Sequence, residues 1–290
     1  MSVSDALWSS TLKYCRIESE DPTRLAAFYE DALQMAPEPL AEARIRLSAP
    51  GRTLIIGPGP NESVPEVGFD AGGHNRLGAL REAIEATGVA IRGSDSAAFD
   101  RDAFEVSDPE GLRIVFGCSD IPDSALPETS APDRGATLWG RLQHVVFASP
   151  RLREVADFYK RKLGFVLSDT VVREDDEVET AVFVRSDPEH HSFACFRAEA
   201  FRFDHLALET SGWTDIRDWA DHFAEREIPI WWGPGRHGPG NNLFFMIRDP
   251  DGNRIEISAE CEHMPRAMPP RTWPHTERTL NLWGAGWMRD

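Results

Sequence analysis

LKYCRIESEDPTRLAAFYEDALQM (Leu12–Met35) and LQHVVFASPRLREVADFYKRKLGF (Leu142–Phe165) are two versions of one pattern. Each opens on a run whose alternating side chains predict a strand. Each then meets a polar turn, Asp21-Pro22 or Ser149-Pro150, which predicts a helix N-cap followed by proline in the first turn. Each helix carries the same pair, Phe28-Tyr29 and Phe158-Tyr159, 130 positions apart. Apolar spacing of three and four puts one face of each helix on a sheet.

A second correspondence extends the repeat. DPEGLRIVF begins at Asp108 and DPDGNRIEI at Asp249. Each predicts a tight Asp-Pro-x-Gly turn feeding a strand. Helical segments are expected between these landmarks, over residues 73–88 and 214–228. Each half therefore reads as βαβββ followed by a further helix and strands. The boundaries expected are a first module over 1–118, a linker rich in Pro, Ser and Asp over 119–138, a second module over 139–261 and a tail over 262–290. The tail carries Trp273, Trp283 and Trp287, so it is expected to fold back as a lid or pack on another subunit.

Composition narrows the function. Of the 290 residues, 41% are hydrophobic and 27% charged, as in a globular protein in water. No apolar run is long enough to span a membrane, and the first ten residues do not read as a signal peptide, so a cytoplasmic home is expected. A net charge of −17 repels phosphate backbones and argues against a nucleic-acid partner. Cys15, Cys118, Cys195 and Cys261 are scattered, which predicts buried reduced thiols and neither a disulfide framework nor a zinc site.

Aligning the halves singles out three positions. His144 stands where the first half has Tyr14, His205 near Val67, and Glu256 where the first half has Val115. A lone histidine in a strand is more often a hydrogen-bonded core residue than a ligand. Glu256 is more telling, because Ile255 and Ile257 point to the opposite face and its counterpart is an apolar residue. A buried carboxylate needs a partner, and a metal ion is one. Two histidines and one carboxylate hold one face of an octahedral metal and leave three positions open. Imidazole and carboxylate suit Fe(II), with Mn(II) as the alternative, and the set has no thiolate.

These motifs, above all GRHGPGNNLFFMIRDPDGNRIEI (Gly235–Ile257), resemble the type I extradiol catechol dioxygenases of the vicinal oxygen chelate superfamily, the homoprotocatechuate-cleaving enzymes among them. The resemblance implies an α+β fold of two tandem modules built from paired βαβββ units, each curved sheet enclosing a cavity, with the first module catalytically empty. It implies that His144, His205 and Glu256 hold the metal. It also implies that His191 takes the proton of an aromatic diol and that His237 hydrogen-bonds the substrate oxygen from the far side. His190 is expected to point away from His191, and the ordinary alternative for all three is an exposed loop histidine. Phe183, Trp231, Trp232, Asn242 and Met246 are the expected pocket residues, with Arg271 and Arg278 as candidates for a substrate carboxylate. The family carries a tyrosine ten positions before the ligand glutamate, and here that position is Met246, a thioether with no proton to donate.

The activity implied is insertion of both atoms of O2 into a substituted catechol, in a homo-oligomer (dimer or tetramer). The same superfamily hosts non-oxidative metal-dependent lyases and isomerases and metal-free small-molecule binding proteins, which are the competing readings. A binding protein needs no triad. A lyase or isomerase of this kind usually draws a ligand from each module, and the first half here offers none at the aligned positions.

Overall fold

A computed structural model describes residues 1–119 and 138–288, so the expected linker lies, but for its two end residues, outside the described residues. After a short capped helix α1 (Val3–Leu7), the first half is two βαβββ units in sequence. The first comprises β1 (Thr11–Ser19), α2 (Pro22–Ala32), β2 (Ala36–Pro39), β3 (Ile45–Ala49) and β4 (Arg52–Pro58). The second comprises β5 (Ser63–Asp70), α3 (His74–Glu85), β6 (Arg92–Gly93), β7 (Phe104–Ser107) and β8 (Arg113–Gly117).

The second half repeats this plan. Its first unit is β9 (Arg141–Ser149), α4 (Leu152–Asp157, continuing as a π-helix over Phe158–Leu163), β10 (Val166–Arg173), β11 (Val178–Arg185) and β12 (Phe193–Arg197). Its second is β13 (Arg202–Thr210), α5 (Trp213–Glu225), β14 (Trp232–Arg236), β15 (Leu243–Arg248) and β16 (Arg254–Ala259). The tail adds β17 (Arg271–Pro274) and α6 (Glu277–Leu280). The fold is thus α+β in tandem halves, as the repeat predicts.

Each half is one mixed sheet. The order is β2-β3-β4-β1-β5-β8-β7-β6 in the first and β14-β15-β16-β13-β9-β12-β11-β10-β17 in the second. The opening strands of the two units pair antiparallel at the centre, and each runs parallel to the last strand of its own unit. The tail therefore belongs to the second sheet, since β17 pairs parallel with β10 at its edge. No helix among the described residues is long and apolar enough to cross a membrane.

The helices start where local chemistry stops the strands. The Asp21 carboxylate accepts from the Arg24 amide at 3.0 Å, so the first cap is as expected. The second is not. Ser149 belongs to β9, its hydroxyl accepts from the Arg151 amide at 2.8 Å and donates to Glu110, and the helix begins three residues later, at Leu152. The hydroxyl is engaged before the helix starts, which moves the cap to Arg151.

The halves share one core. Phe69 and Phe165 meet edge to face at 5.4 Å across the boundary. Helix α2 and the residue that caps α4 each reach the other module's Asp-Pro turn. Tyr29 donates to Asp249 at 2.7 Å and Arg24 pairs with Asp251, while Arg151 pairs with Glu110 at 3.2 Å. All four cysteines are buried and free.

Candidate metal centre

Strand alternation decides what faces the cavity. On β9, Val145 and Phe147 enter the shared core beneath the helices, while His144 and Val146 turn to the other face. On β13, Leu206 and Leu208 enter the core and His205 turns the other way; on β16, Ile255 and Ile257 enter it and Glu256 does not. β9, β13 and β16 are neighbours in the sheet, so these side chains converge. The ligand atoms of His144, His205 and Glu256 all lie within 4.8 Å of one another, and all three residues are buried.

The hydrogen bonds behind the imidazoles set their tautomers. The Gln143 amide nitrogen donates to the His191 carbonyl at 3.1 Å, so its oxygen is free to accept from His144 Nδ1–H. His205 Nδ1 donates to the Asp204 carboxylate at 2.7 Å. Both rings therefore turn bare Nε2 atoms towards each other, 3.3 Å apart, with Glu256 Oε2 at 3.5 Å from His205 Nε2. Two lone pairs and a carboxylate oxygen at such distances repel unless a cation lies among them.

Protonation agrees with that. Burial pushes the His144 imidazole down to about 3. Burial alone would raise Glu256, but the Asn242 amide donating to Oε1 at 3.0 Å favours its ionised form. A neutral His144 imidazole and an ionised carboxylate, with the His205 Nε2 turned to them, fit a divalent metal of the Fe(II) or Mn(II) kind. The glutamate is also oriented, because Asn242, fully buried, donates to Glu256 Oε1 at 3.0 Å and to Ser258 Oγ at 2.9 Å.

A cavity of about 30 Å³ adjoins these groups, lined by His191, His237, Val146, Phe183, Phe196 and Leu280 as well as the three candidate ligands. That is room for a water or two. A larger chamber of about 390 Å³ lies beside it and shares Phe196, Thr279 and Leu280 as a common wall. Its volume is that of a small-molecule site. No lysine or arginine lines the inner cavity among the described residues.

Of the pocket residues expected, Phe183 lines the inner cavity. Met246 pairs with Glu256 across β15 and β16, fully buried and outside the lining. Trp232 stands behind His237, with its indole N–H on the Ala285 carbonyl at 3.0 Å, and Trp231 packs against Trp287 and under Arg248. Asn242 serves Glu256 and does not line the cavity. Arg271 is bound to Asp169 and Glu262, and Arg278 is exposed. Neither faces the cavity.

The histidine expectations also need correction. His190 is fully buried and does not point away from its neighbour, since His190 Nδ1 and His191 Nδ1 are 2.9 Å apart. His191 is buried as well, its ring 4.1 Å from that of His144. His237 is partly buried and donates Nδ1–H to the Leu280 carbonyl at 2.5 Å, leaving Nε2 bare at 3.4 Å from Glu256 Oε2. None of the three is an exposed loop residue.

The register corrects one alignment. Ala207 pairs with His144, and Gly68 pairs with Tyr14, so the counterpart of His205 is Glu66 and not Val67. The first half does retain one potential ligand. It is committed elsewhere, accepting from the Tyr14 hydroxyl at 2.6 Å and pairing with Arg113 at 2.5 Å. The Tyr14 ring fills the equivalent space. A Cβ on Gly68 would lie 1.9 Å from that ring, so only glycine fits there. Opposite His144 the same position is Ala207.

Residues 141–257 match the Glyoxalase/Bleomycin resistance protein/Dioxygenase superfamily. Metapyrocatechase 2 of Cupriavidus necator is 28% identical over 223 residues, covering 71% of this chain and 67% of that protein. The iron-dependent extradiol dioxygenase of Rhodococcus jostii (strain RHA1) is 24% identical over 294 residues, covering 94% and 96%. Among solved structures, homoprotocatechuate 2,3-dioxygenase of Brevibacterium fuscum in complex with 3,4-dihydroxyphenylacetate superposes with a TM-score of 0.77 at 22% identity, over 94% of this chain and 88% of that one. That likeness is one of fold.

Proposed function

We propose that this member of the glyoxalase, bleomycin resistance and dioxygenase superfamily is an extradiol dioxygenase that inserts both atoms of O2 into a substituted catechol. The observation that carries the reading is the convergence of two bare Nε2 atoms and one ionised carboxylate in a buried site. His144, His205 and Glu256 would hold Fe(II), or Mn(II) in its place. When bound, the metal supplies adjacent open positions for diol and O2 and makes a diol hydroxyl more acidic.

The chain's own residues do the rest. His191, neutral and buried, accepts a diol proton. His237 Nε2, bare because Nδ1–H is held by Leu280, accepts a hydrogen bond from the second hydroxyl. Val146, Phe183 and Phe196 flank a flat ring. The inner cavity is smaller than a catechol, so entry requires the shared wall at Thr279 and Leu280 to move, and the substituent then occupies the larger chamber. With no lysine or arginine among the described residues of the inner wall, an uncharged position next to the ring is favoured.

The test is oxygen uptake by anaerobically prepared, Fe(II)-loaded protein offered a panel of substituted catechols, with a yellow ring-opened product followed in parallel. Uptake matched to product and lost in His144→Ala supports the reading. One metal per chain with no oxygen consumed overturns it in favour of a non-oxidative lyase or isomerase. Met246, buried opposite Glu256 and unable to donate a proton, is the observation that keeps this second reading in play.

A further inference from the structure

Behind His191 runs a chain of buried groups. His191 Nδ1 lies 2.9 Å from His190 Nδ1, and His190 Nε2 lies 2.9 Å from Asp169 Oδ2. His190 and Asp169 are fully buried. Among the described residues the Asp169 carboxylate meets only donors: Arg271 through Nε at 2.9 Å, a terminal nitrogen at 3.0 Å and its backbone amide at 3.3 Å, the Trp273 indole N–H at 2.7 Å, and His190. Arg271 is clamped from its other side by Glu262.

Proton counting along this chain has one solution for neutral rings. A carboxylate with an arginine on it is ionised and only accepts, so His190 Nε2 carries a hydrogen. Burial keeps His190 neutral, so its Nδ1 is an acceptor. The hydrogen between the two Nδ1 atoms then belongs to His191. We propose that Asp169 and His190 are positioning residues that set the tautomer of His191, so that it presents a bare Nε2 to the cavity.

This inference rests on the ring-cleaving reading for its purpose but not for its tautomers. In the step it serves, the O–H bond of the diol breaks and an Nε2–H bond forms on His191. The resulting imidazolium already has its Nδ1–H on His190, whose far side rests on the Asp169 charge. The cation is thus met by groups oriented before the transfer. The opposite tautomer would aim an N–H at the hydroxyl and leave no acceptor, the fault that a misoriented imidazole causes in serine proteases.

The test uses the full chain with 15N-labelled histidine and reads each imidazole tautomer by long-range 1H–15N correlation. Nδ1–H on His191 and Nε2–H on His190 are expected. In Asp169→Leu His190 Nε2 loses its acceptor, the proton arrangement of the pair is no longer fixed, and the Nε2–H form of His191 becomes populated. In Fe(II)-loaded protein the same variant loses kcat on the order of 10²-fold or more, with KM nearly unchanged. His190→Asn, whose amide oxygen stands where Nδ1 stood, retains the His191 tautomer and most of kcat, whereas His190→Leu loses both. Nε2–H on His191 in the parent chain, no change of the His191 tautomer in Asp169→Leu, or equal losses in the two His190 variants overturns the proposal. The expected tautomers in a protein that cleaves no diol would sink the dioxygenase reading and leave the tautomer assignment standing.

Discussion

His237 donates its Nδ1–H to the carbonyl of Leu280 at 2.5 Å, so the candidate metal centre is tied directly to the C-terminal tail. The bond does two things at once. It bares His237 Nε2 beside Glu256, and it holds Leu280 in the wall between the inner cavity and the larger chamber.

A chain ending at Thr276 separates these roles. It lacks Leu280 but keeps every candidate ligand, because those stand on β9, β13 and β16. Metal content measured by mass spectrometry is expected to stay at one per chain. Ring cleavage measured by oxygen uptake is expected to fall on the order of 10²-fold, since His237 is released and water enters. Loss of metal in this variant would show that the tail builds the metal site itself.

Asn242→Ala removes the donor that orients Glu256. Metal affinity is expected to fall roughly 10- to 100-fold, as for other groups that position a ligand from behind. Competition against a fluorescent chelator measures this, and an unchanged affinity would mean that the carboxylate needs no orienting partner.

Tyr14→Phe tests whether the first half is only a scaffold. The hydroxyl donates to Glu66 and accepts from Ser96 at 2.7 Å, and its loss leaves the buried Glu66 and the partly buried Ser96 each short of a partner. A stability loss of about 1–3 kcal/mol is expected in urea denaturation, with metal content unaltered. A drop in metal content would implicate Glu66 in the site.

Glu209 is buried, and burial together with nearby Glu189 pushes its carboxyl up to about 7. The folded state therefore holds this proton to higher pH than the unfolded state does. Stability from this group is fully present below the unfolded value, about 4.5, and is lost as pH rises through about 7. Glu209→Gln is expected to match the parent at pH 4 and to exceed it by roughly 2–3 kcal/mol at pH 8. Equal pH slopes for the two proteins in thermal melts would contradict the raised value.

The two halves, their paired βαβββ units and the placement of His144, His205 and Glu256 on strands were all legible in the chain. Repeat length, turn chemistry and period-two alternation are local properties, and they survive folding because the backbone geometry that produces them is local. Even the face of Glu256 could be read, since Ile255 and Ile257 had to enter the core.

What the chain did not reveal were partners brought together from afar. Glu66 escaped notice as the counterpart of His205 because strand bulges and unequal loops displace a linear alignment by one residue, and only the hydrogen-bonded register restores it. Asn242 reads as a pocket residue until β15 is laid beside β16 and its amide meets Glu256. His190 reads as a loop histidine until β10 and β17 bring Asp169 and Arg271 behind it, 21 residues separating His190 from Asp169 and 102 separating Asp169 from Arg271. Sequence by itself determined which side chains lie on which face of which strand. Tertiary structure decided which of them touch, because a buried polar group takes its role from whatever partner the packing of distant strands delivers to it.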